Sequence, residues 1–233
     1  MSKRSKRYQQ AAELVEDDKQ YALKDAVELL KKFPAPKFDP TVTLSFKLGI
    51  DPRKTDQMVR GSVALPHGTG KSVRVVVFAS GDAAKAAEAA GADEVGMADL
   101  IKKVQEGYTD FDAAIATPDA MLEVRKIARV LGPRGLMPNP KTGTVTEDTA
   151  AAVNAVKAGR IDYKLDKNGN VSAAIGKASF SDDQLTENTT ALLESVIKAK
   201  PATAKGNYIE NVTISASMCP GVALESSLYV VNP

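Results

Sequence analysis

The sequence predicts a chain whose two ends fold together. An α+β split domain, with a mixed or antiparallel sheet and two helices, is interrupted by an inserted α/β domain of Rossmann-like, three-layer layout. Three observations carry this. Residues 73–79 (VRVVVFA) form a nearly continuous apolar run, the pattern of a strand buried on both faces of a parallel sheet. In residues 41–49 and 211–218, by contrast, apolar and polar residues alternate, as in strands with one face in the core and one in solvent. Neither flank alone has enough strands for a stable sheet, so residues 1–67 and 159–233 are expected to form one discontinuous domain around an insertion at residues 68–158.

Within the insertion, an alanine-rich helical stretch follows the first strand and stops at Gly91. A short step from Glu94 to Gly96 leads to a second helical pattern over residues 97–106, and residues 111–116 (FDAAIA) make another strand. Thr117, Pro118 and Asp119 read as a helix start, with a capping hydroxyl, a proline at the first helical position and an acid in the first turn. A last helix over residues 146–158 is stopped by Gly159 in the left-handed conformation.

In the flanks, Leu23, Ala26, Val27 and Leu30 recur at helical spacing, as do Leu185, Thr189, Leu192 and Val196. Ser181 and Gln184 give the second helix a capping box. Residues 161–165 and 171–175, separated by Asp166, Lys167, Asn168 and Gly169, are expected to form a hairpin. The chain crosses between domains near residues 65–70 and at Gly159, which predicts a hinge at Pro66, His67, Gly68 and Gly159.

The 233 residues are 43% apolar, enough for a substantial core. No apolar stretch approaches the roughly 18 residues that span a bilayer, and the N-terminus lacks the apolar segment of a signal peptide. A cytoplasmic protein without membrane contact is expected. One cysteine, Cys219, and one histidine, His67, argue against a disulfide framework, a zinc site or any other metal. The net charge of +2 is small, but the excess of base over acid lies outside residues 71–158. Lys3, Arg4, Lys6 and Arg7 suit a flexible arm gripping phosphates, or simply a solubilising start to the chain.

Enzyme signatures fail on spacing. The fragment Gly70-Lys71-Ser72 would close a phosphate-binding loop only with a glycine at position 65, where Leu65 stands, and it precedes a strand when it should follow one. The turn Ser80-Gly81-Asp82 has a single glycine where a dinucleotide site needs three. His67 has no nucleophile pattern beside it and reads as a structural or hydrogen-bonding residue. No cofactor and no catalytic residue is expected.

Two stretches carry a resemblance: residues 47–54 (KLGIDPRK) with 60–68 (RGSVALPHG), and residues 131–145 (LGPRGLMPNPKTGTV). Together with residues 158–162, 176–180 and Lys200-Pro201, in order along the chain, they resemble the bacterial family of ribosomal protein L-one, the large-subunit stalk protein near the tRNA exit site. The resemblance implies the split domain with its insertion and no bond chemistry. It further implies a monomer within the ribosome that binds large-subunit ribosomal RNA, helps deacylated tRNA leave the exit site and represses translation of its own operon messenger RNA. A non-ribosomal RNA regulator and a small-molecule-binding α/β protein are the competing readings.

Binders of structured RNA need polar surfaces close to phosphates and 2′-hydroxyls, and the outward Thr, Ser and Asn side chains of residues 41–49 and 211–218 offer one. By themselves these residues leave a second reading open, since Thr and Ser suit solvent faces of strands. The resemblance places RNA contacts at the start of the first strand and the end of the second, on Glu28, Lys37, Phe38, Thr41, Asn211, Ser217, Met218 and Cys219. Asp166 and Lys167 are added from the turn, and Arg134 and Lys141 as RNA or tRNA contacts of the inserted domain. Phe38 either packs on a ribose or base, worth about 1–3 kcal/mol for a stacked base, or caps the core. Cys219 departs from the family, where glycine usually follows the methionine and would let RNA approach the backbone.

Overall fold

The computed structural model describes residues 4–16, 19–204 and 206–225. In chain order its elements are α1 (Lys6–Glu13), α2 (Leu23–Lys32), β1 (Thr41–Leu48), β2 (Arg60–Ala64), β3 (Val75–Phe78), α3 (Asp82–Ala89), β4 (Glu94–Gly96), α4 (Ala98–Gln105) and β5 (Ala113–Ala116). They continue with α5 (Met121–Val124), α6 (Ala128–Leu131), α7 (Thr149–Lys157), β6 (Arg160–Lys164), β7 (Asn170–Lys177), α8 (Asp182–Lys198), β8 (Ile209–Ala216) and β9 (Gly221–Leu224). No helix of the described residues is long and apolar enough to cross a membrane. The chain divides into two compact units, residues 1–70 with 161–233, and residues 71–160. The divisions fall at Gly70/Lys71 and Arg160/Ile161, slightly beyond the expected His67/Gly68 and Ala158/Gly159.

The first unit is built on an antiparallel sheet in the order β7-β1-β8-β9, so its two central strands come from opposite ends of the chain. One face is dry. Val42, Leu44, Phe46 and Leu48 of β1, with Val212 and Ile214 of β8 and Val171 and Ile175 of β7, are buried against Ala26, Val27 and Leu30 of α2 and Leu185, Leu192 and Val196 of α8. Burial of side chains of this size contributes about 1.5–3 kcal/mol each, which is why alternation fixes the register: a slip by one residue would put every apolar side chain of β1 in water. The capping box of α8 forms as read, Ser181 Oγ accepting from Gln184 N at 3.2 Å and Gln184 Oε1 accepting from Ser181 N at 3.0 Å.

The expected hairpin needs correction. β6 pairs with β2 in a separate two-stranded sheet and β7 pairs with β1, while the turn between them holds one bridge, Leu165 to Val171, and a bond from Asp166 N to Asn170 O at 2.8 Å. The turn chemistry is present, but the flanking strands find longer partners elsewhere. Gly61 permits the β2–β6 pairing, because a Cβ there would stand 2.6 Å from the Tyr163 hydroxyl.

The expected arm at the N-terminus also needs correction: from Lys6 it is helix α1, capped by Ser5 Oγ, which accepts from Tyr8 N at 3.2 Å. Arg4 lies over the Tyr8 ring, 4.7 Å from its centroid, a cation–π contact. Lys3 falls outside the described residues.

In the second unit a parallel sheet, β4-β3-β5, is covered on both sides. Alternate residues of β3 enter different cores: Val76 and Phe78 pack with Leu100, Ile101, Val104, Val124 and Ile127, whereas Val75 and Val77 pack with Ala87, Ala152, Val153 and Val156. Thr117 Oγ1 accepts from Ala120 N at 3.3 Å, and the helix it starts is short, passing from α5 through a 3-10 turn at Arg125–Ile127 into α6. Gly159 holds φ +103° after α7.

Candidate nucleic-acid interface

Packing one face of the first sheet leaves the other to solvent, and the register sets what stands there. Across β7, β1 and β8, Ser172, Ser45 and Thr213 form one row, Asn170, Lys47 and Asn211 the next, and Thr43 faces Ser215. The hydroxyls are tied into one surface, Ser45 Oγ to Ser172 Oγ at 2.9 Å and Thr43 Oγ1 to Ser215 Oγ at 3.0 Å. Each hydroxyl has one donor and two acceptor lone pairs, so a single mutual bond leaves capacity toward a ligand. Short side chains keep that ligand close to the strands.

At the Thr41 end, several segments converge. Lys177 Nζ donates to Thr41 Oγ1 at 2.9 Å, Ser217 N and Oγ donate to Thr41 O at 3.0 and 3.2 Å, and Ser179 Oγ donates to Asp39 Oδ2 at 2.7 Å. Around them Lys37 is exposed, Phe38 is 49% exposed and Met218 is 68% exposed. Phe38 is therefore not a cap on the core. Met218 holds φ +63°, the one non-glycine with positive φ among the described residues. A left-handed L-residue costs about 1–2 kcal/mol, and such strain gathers at functional sites. Glu28, exposed on α2, belongs to the helix layer beside Asp182 and Asp183 and not to the sheet face.

Asn211 does not join this group. It pairs with Lys47, six residues along β1 from Thr41, a distance of roughly 20 Å at 3.4 Å per residue. Its neighbours are Asp166 and Asn170, around a shallow polar depression of about 280 Å³. Asp166 is engaged there: Oδ1 accepts from Asn168 N at 2.8 Å and Asn170 N at 2.7 Å. These backbone bonds hold its carboxyl below the usual range, which makes it a turn former while Lys167 beside it is exposed. Lys47 Nζ closes the turn on Asn168 O at 2.6 Å.

The profile of the ribosomal protein L1p/L10e family matches residues 30–220. The large ribosomal subunit protein uL1 of Saccharopolyspora erythraea is 59% identical over 225 residues, covering 97% of this chain and 94% of that protein. The chain belongs to the ribosomal protein L1p/L10e family. Membership makes it a ribosomal protein and not an enzyme.

Cys219 needs no left-handed backbone, because the left-handed residue of the turn is Met218. The Cys219 side chain is partly buried against the core, in a groove with Leu30, Phe33, Pro34 and Pro40. Burial raises its thiol pKa, offset in part by the charge of Arg7.

The remaining candidates lie elsewhere. Arg134 and Lys141 are exposed on the second unit, Arg134 Nη1 donating to Thr109 Oγ1. At the expected hinge, His67 N donates to Asn188 Oδ1 at 3.1 Å, Asn188 Nδ2 donates to Gly68 O at 3.0 Å, and His67 Nε2 lies 2.6 Å from Glu187 Oε2. Asn188 is fully buried, so these bonds tie His67 and Gly68 to the first unit. Sequence reasoning missed Lys177, Ser172 and Asn188. The alternation over residues 170–172 could have signalled Ser172; nothing local signalled the others.

Proposed function

We propose that the chain, as a constituent of the large ribosomal subunit, holds large-subunit ribosomal RNA on the open face of the sheet its two ends build. The split α+β unit is the RNA-binding domain, and the Rossmann-like unit is its insertion. The observation that carries this is the exposed pair Phe38 and Met218, flanking a hydroxyl-lined sheet at the end where Lys37 and Lys177 supply positive charge. Hydroxyls and backbone suit 2′-hydroxyls and phosphates of folded RNA, and Phe38 gives a ring for stacking. Thr41, Ser217 and Cys219 border this end, Glu28 is a further contact from the helix layer, and Asn211 and Lys167 form a second contact further along the strands.

The family likeness supports the rest of the reading: a monomer in the cytoplasmic ribosome that helps deacylated tRNA leave the exit site and represses its own operon messenger RNA by binding a mimic of the ribosomal site. Binding to a large-subunit RNA fragment containing the site tests the central claim. Phe38→Ala is expected to weaken it about tenfold or more, whereas Arg4→Ala is expected to change mainly the salt dependence. Equal losses with equal salt slopes would remove the special role of the sheet end.

A further inference from the structure

The second unit carries as many acids as bases, yet its charges are sorted. Between residues 121 and 141 stand Arg125, Lys126, Arg129, Arg134 and Lys141 against one acid, Glu123. The path runs from α5 through the 3-10 turn to α6, with Ala120, Val124, Arg125 and Ala128 in right-handed helical conformation and Ile127 departing from it at φ −100° and ψ 7°. Val124, Ile127 and Leu131 face the core. The opposite face, at helical spacing, presents Leu122, Arg125, Lys126 and Arg129.

Glu123 is paired with Lys126 at 2.6 Å, and among the described residues no ion pair engages Arg125 or Arg129. Leu122 is 69% exposed, the most exposed large apolar side chain described. The basic loop that follows is held in place. Asn139 Oδ1 accepts from Lys141 N at 2.8 Å, Asn139 N donates to Thr144 Oγ1 at 2.8 Å, and the buried Thr142 hydroxyl donates to Asn139 O at 3.1 Å. Cations on pre-ordered backbone lose less entropy on binding.

We infer that this face is a second, sequence-independent RNA-binding surface, in which Arg125 and Arg129 grip phosphates and Leu122 lies against a ribose or base. Guanidinium groups match phosphate oxygens in a planar fork, and phosphates are the complement of a basic strip on an otherwise balanced unit. The inference rests on the reading above only in taking RNA as the partner.

The full chain is titrated with bulk tRNA and with an unrelated RNA hairpin across a salt series. The double variant Arg125→Glu/Arg129→Glu is expected to lose tenfold or more in affinity at low salt, and the slope of log K against log salt to fall by about 2, at close to one counterion per lost phosphate contact. Lys85→Glu/Lys102→Glu makes the same charge change on exposed positions elsewhere in the unit and is expected to lose less than threefold. Leu122→Ala is expected to lose about threefold with the slope unchanged.

Equal losses in both double variants would reduce the effect to bulk charge and overturn the inference. Unchanged RNA affinity in Arg125→Glu/Arg129→Glu, with lost binding of poly-glutamate, would assign the face to an acidic protein and overturn it too. A wild-type chain that binds the ribosomal RNA fragment but neither tRNA nor the hairpin defeats this inference alone; one that binds no RNA defeats the sheet reading with it.

Discussion

The two larger sheets of this molecule are covered differently by helices. In β3 every residue from Val75 to Phe78 is buried, because helices cover both faces; in β1 buried residues alternate with partly or fully exposed ones. A sheet covered on both faces is a scaffold, and its unit can meet a macromolecule only through helices and loops. A sheet covered on one face is itself a surface, whose chemistry is set by every second residue. The position of the open polar face thus follows from where the helices are missing.

The sharpest way to break this comparison is to place a carboxylate in each sheet. Val77→Asp buries an unpaired charge in the second unit and is expected to destabilise it by about 4 kcal/mol or more, seen as loss of its cooperative thermal transition. Thr43→Glu points into solvent on the open face and is expected to shift stability by less than about 1 kcal/mol while lowering affinity for the ribosomal RNA fragment at least tenfold by repelling phosphates. If Thr43→Glu unfolds the first unit, the open face is not open.

A smaller effect concerns how the first unit holds its outgoing strand. Asn188 donates to Gly68 O and to Ile175 O at 2.7 Å and accepts from His67 N. Asn188→Ala leaves the buried Ile175 carbonyl without its partner, at about 1–3 kcal/mol, and frees the part-buried His67 N–H and Gly68 carbonyl to water, so a loss of about 1–3 kcal/mol in denaturant unfolding is expected. The residues after Gly68 should then exchange amide hydrogens faster. Unchanged exchange at His67 would mean that the clamp does not hold this segment.

The contrast between sheets was legible in the sequence because burial on one face or two is written into periodicity. Less legible were features decided by distant partners. The 161–165 and 171–175 segments look like a hairpin because their turn is locally correct, and only the competition from β1 and β2 separates them. Asn211 was grouped with Thr41 because antiparallel register puts the beginning of β8 opposite the end of β1, which no local pattern reveals. Asn188 lies on an ordinary helical stretch, and its role appears only when residues 67 and 68 run past it. The Thr41 end rests on family likeness more than on chemistry, since by itself the open face fits strand propensity better than RNA contact.

Strain at the end of the sheet gives the next test. Met218→Gly removes a left-handed L-residue costing about 1–2 kcal/mol, partly offset by the greater chain entropy of glycine in the unfolded state. A net gain of about 0.5–1 kcal/mol in stability is expected, together with weaker RNA binding because the exposed thioether side chain is lost. Stability and affinity moving in opposite directions would mark Met218 as held in place for contact; a loss of both would make its conformation a packing requirement.

The smallest effect, and the one that separates the surface from the groove behind it, is thiol reactivity. Cys219 lies one residue from the exposed Met218, yet its side chain is partly buried among Leu30, Phe33 and the nearby prolines. Burial raises its pKa, with Arg7 lowering it by less, so at pH 7 its thiolate fraction is below that of a free cysteine. Since the thiolate is the attacking species, alkylation by iodoacetamide should be slower than for a cysteine peptide at pH 7 and should keep rising with pH beyond the point where the peptide levels off. Bound RNA, lying on the open side, should slow the reaction less than it shields Met218 from oxidation. Strong protection of the thiol with none at Met218 would move the contact from the sheet end into the groove.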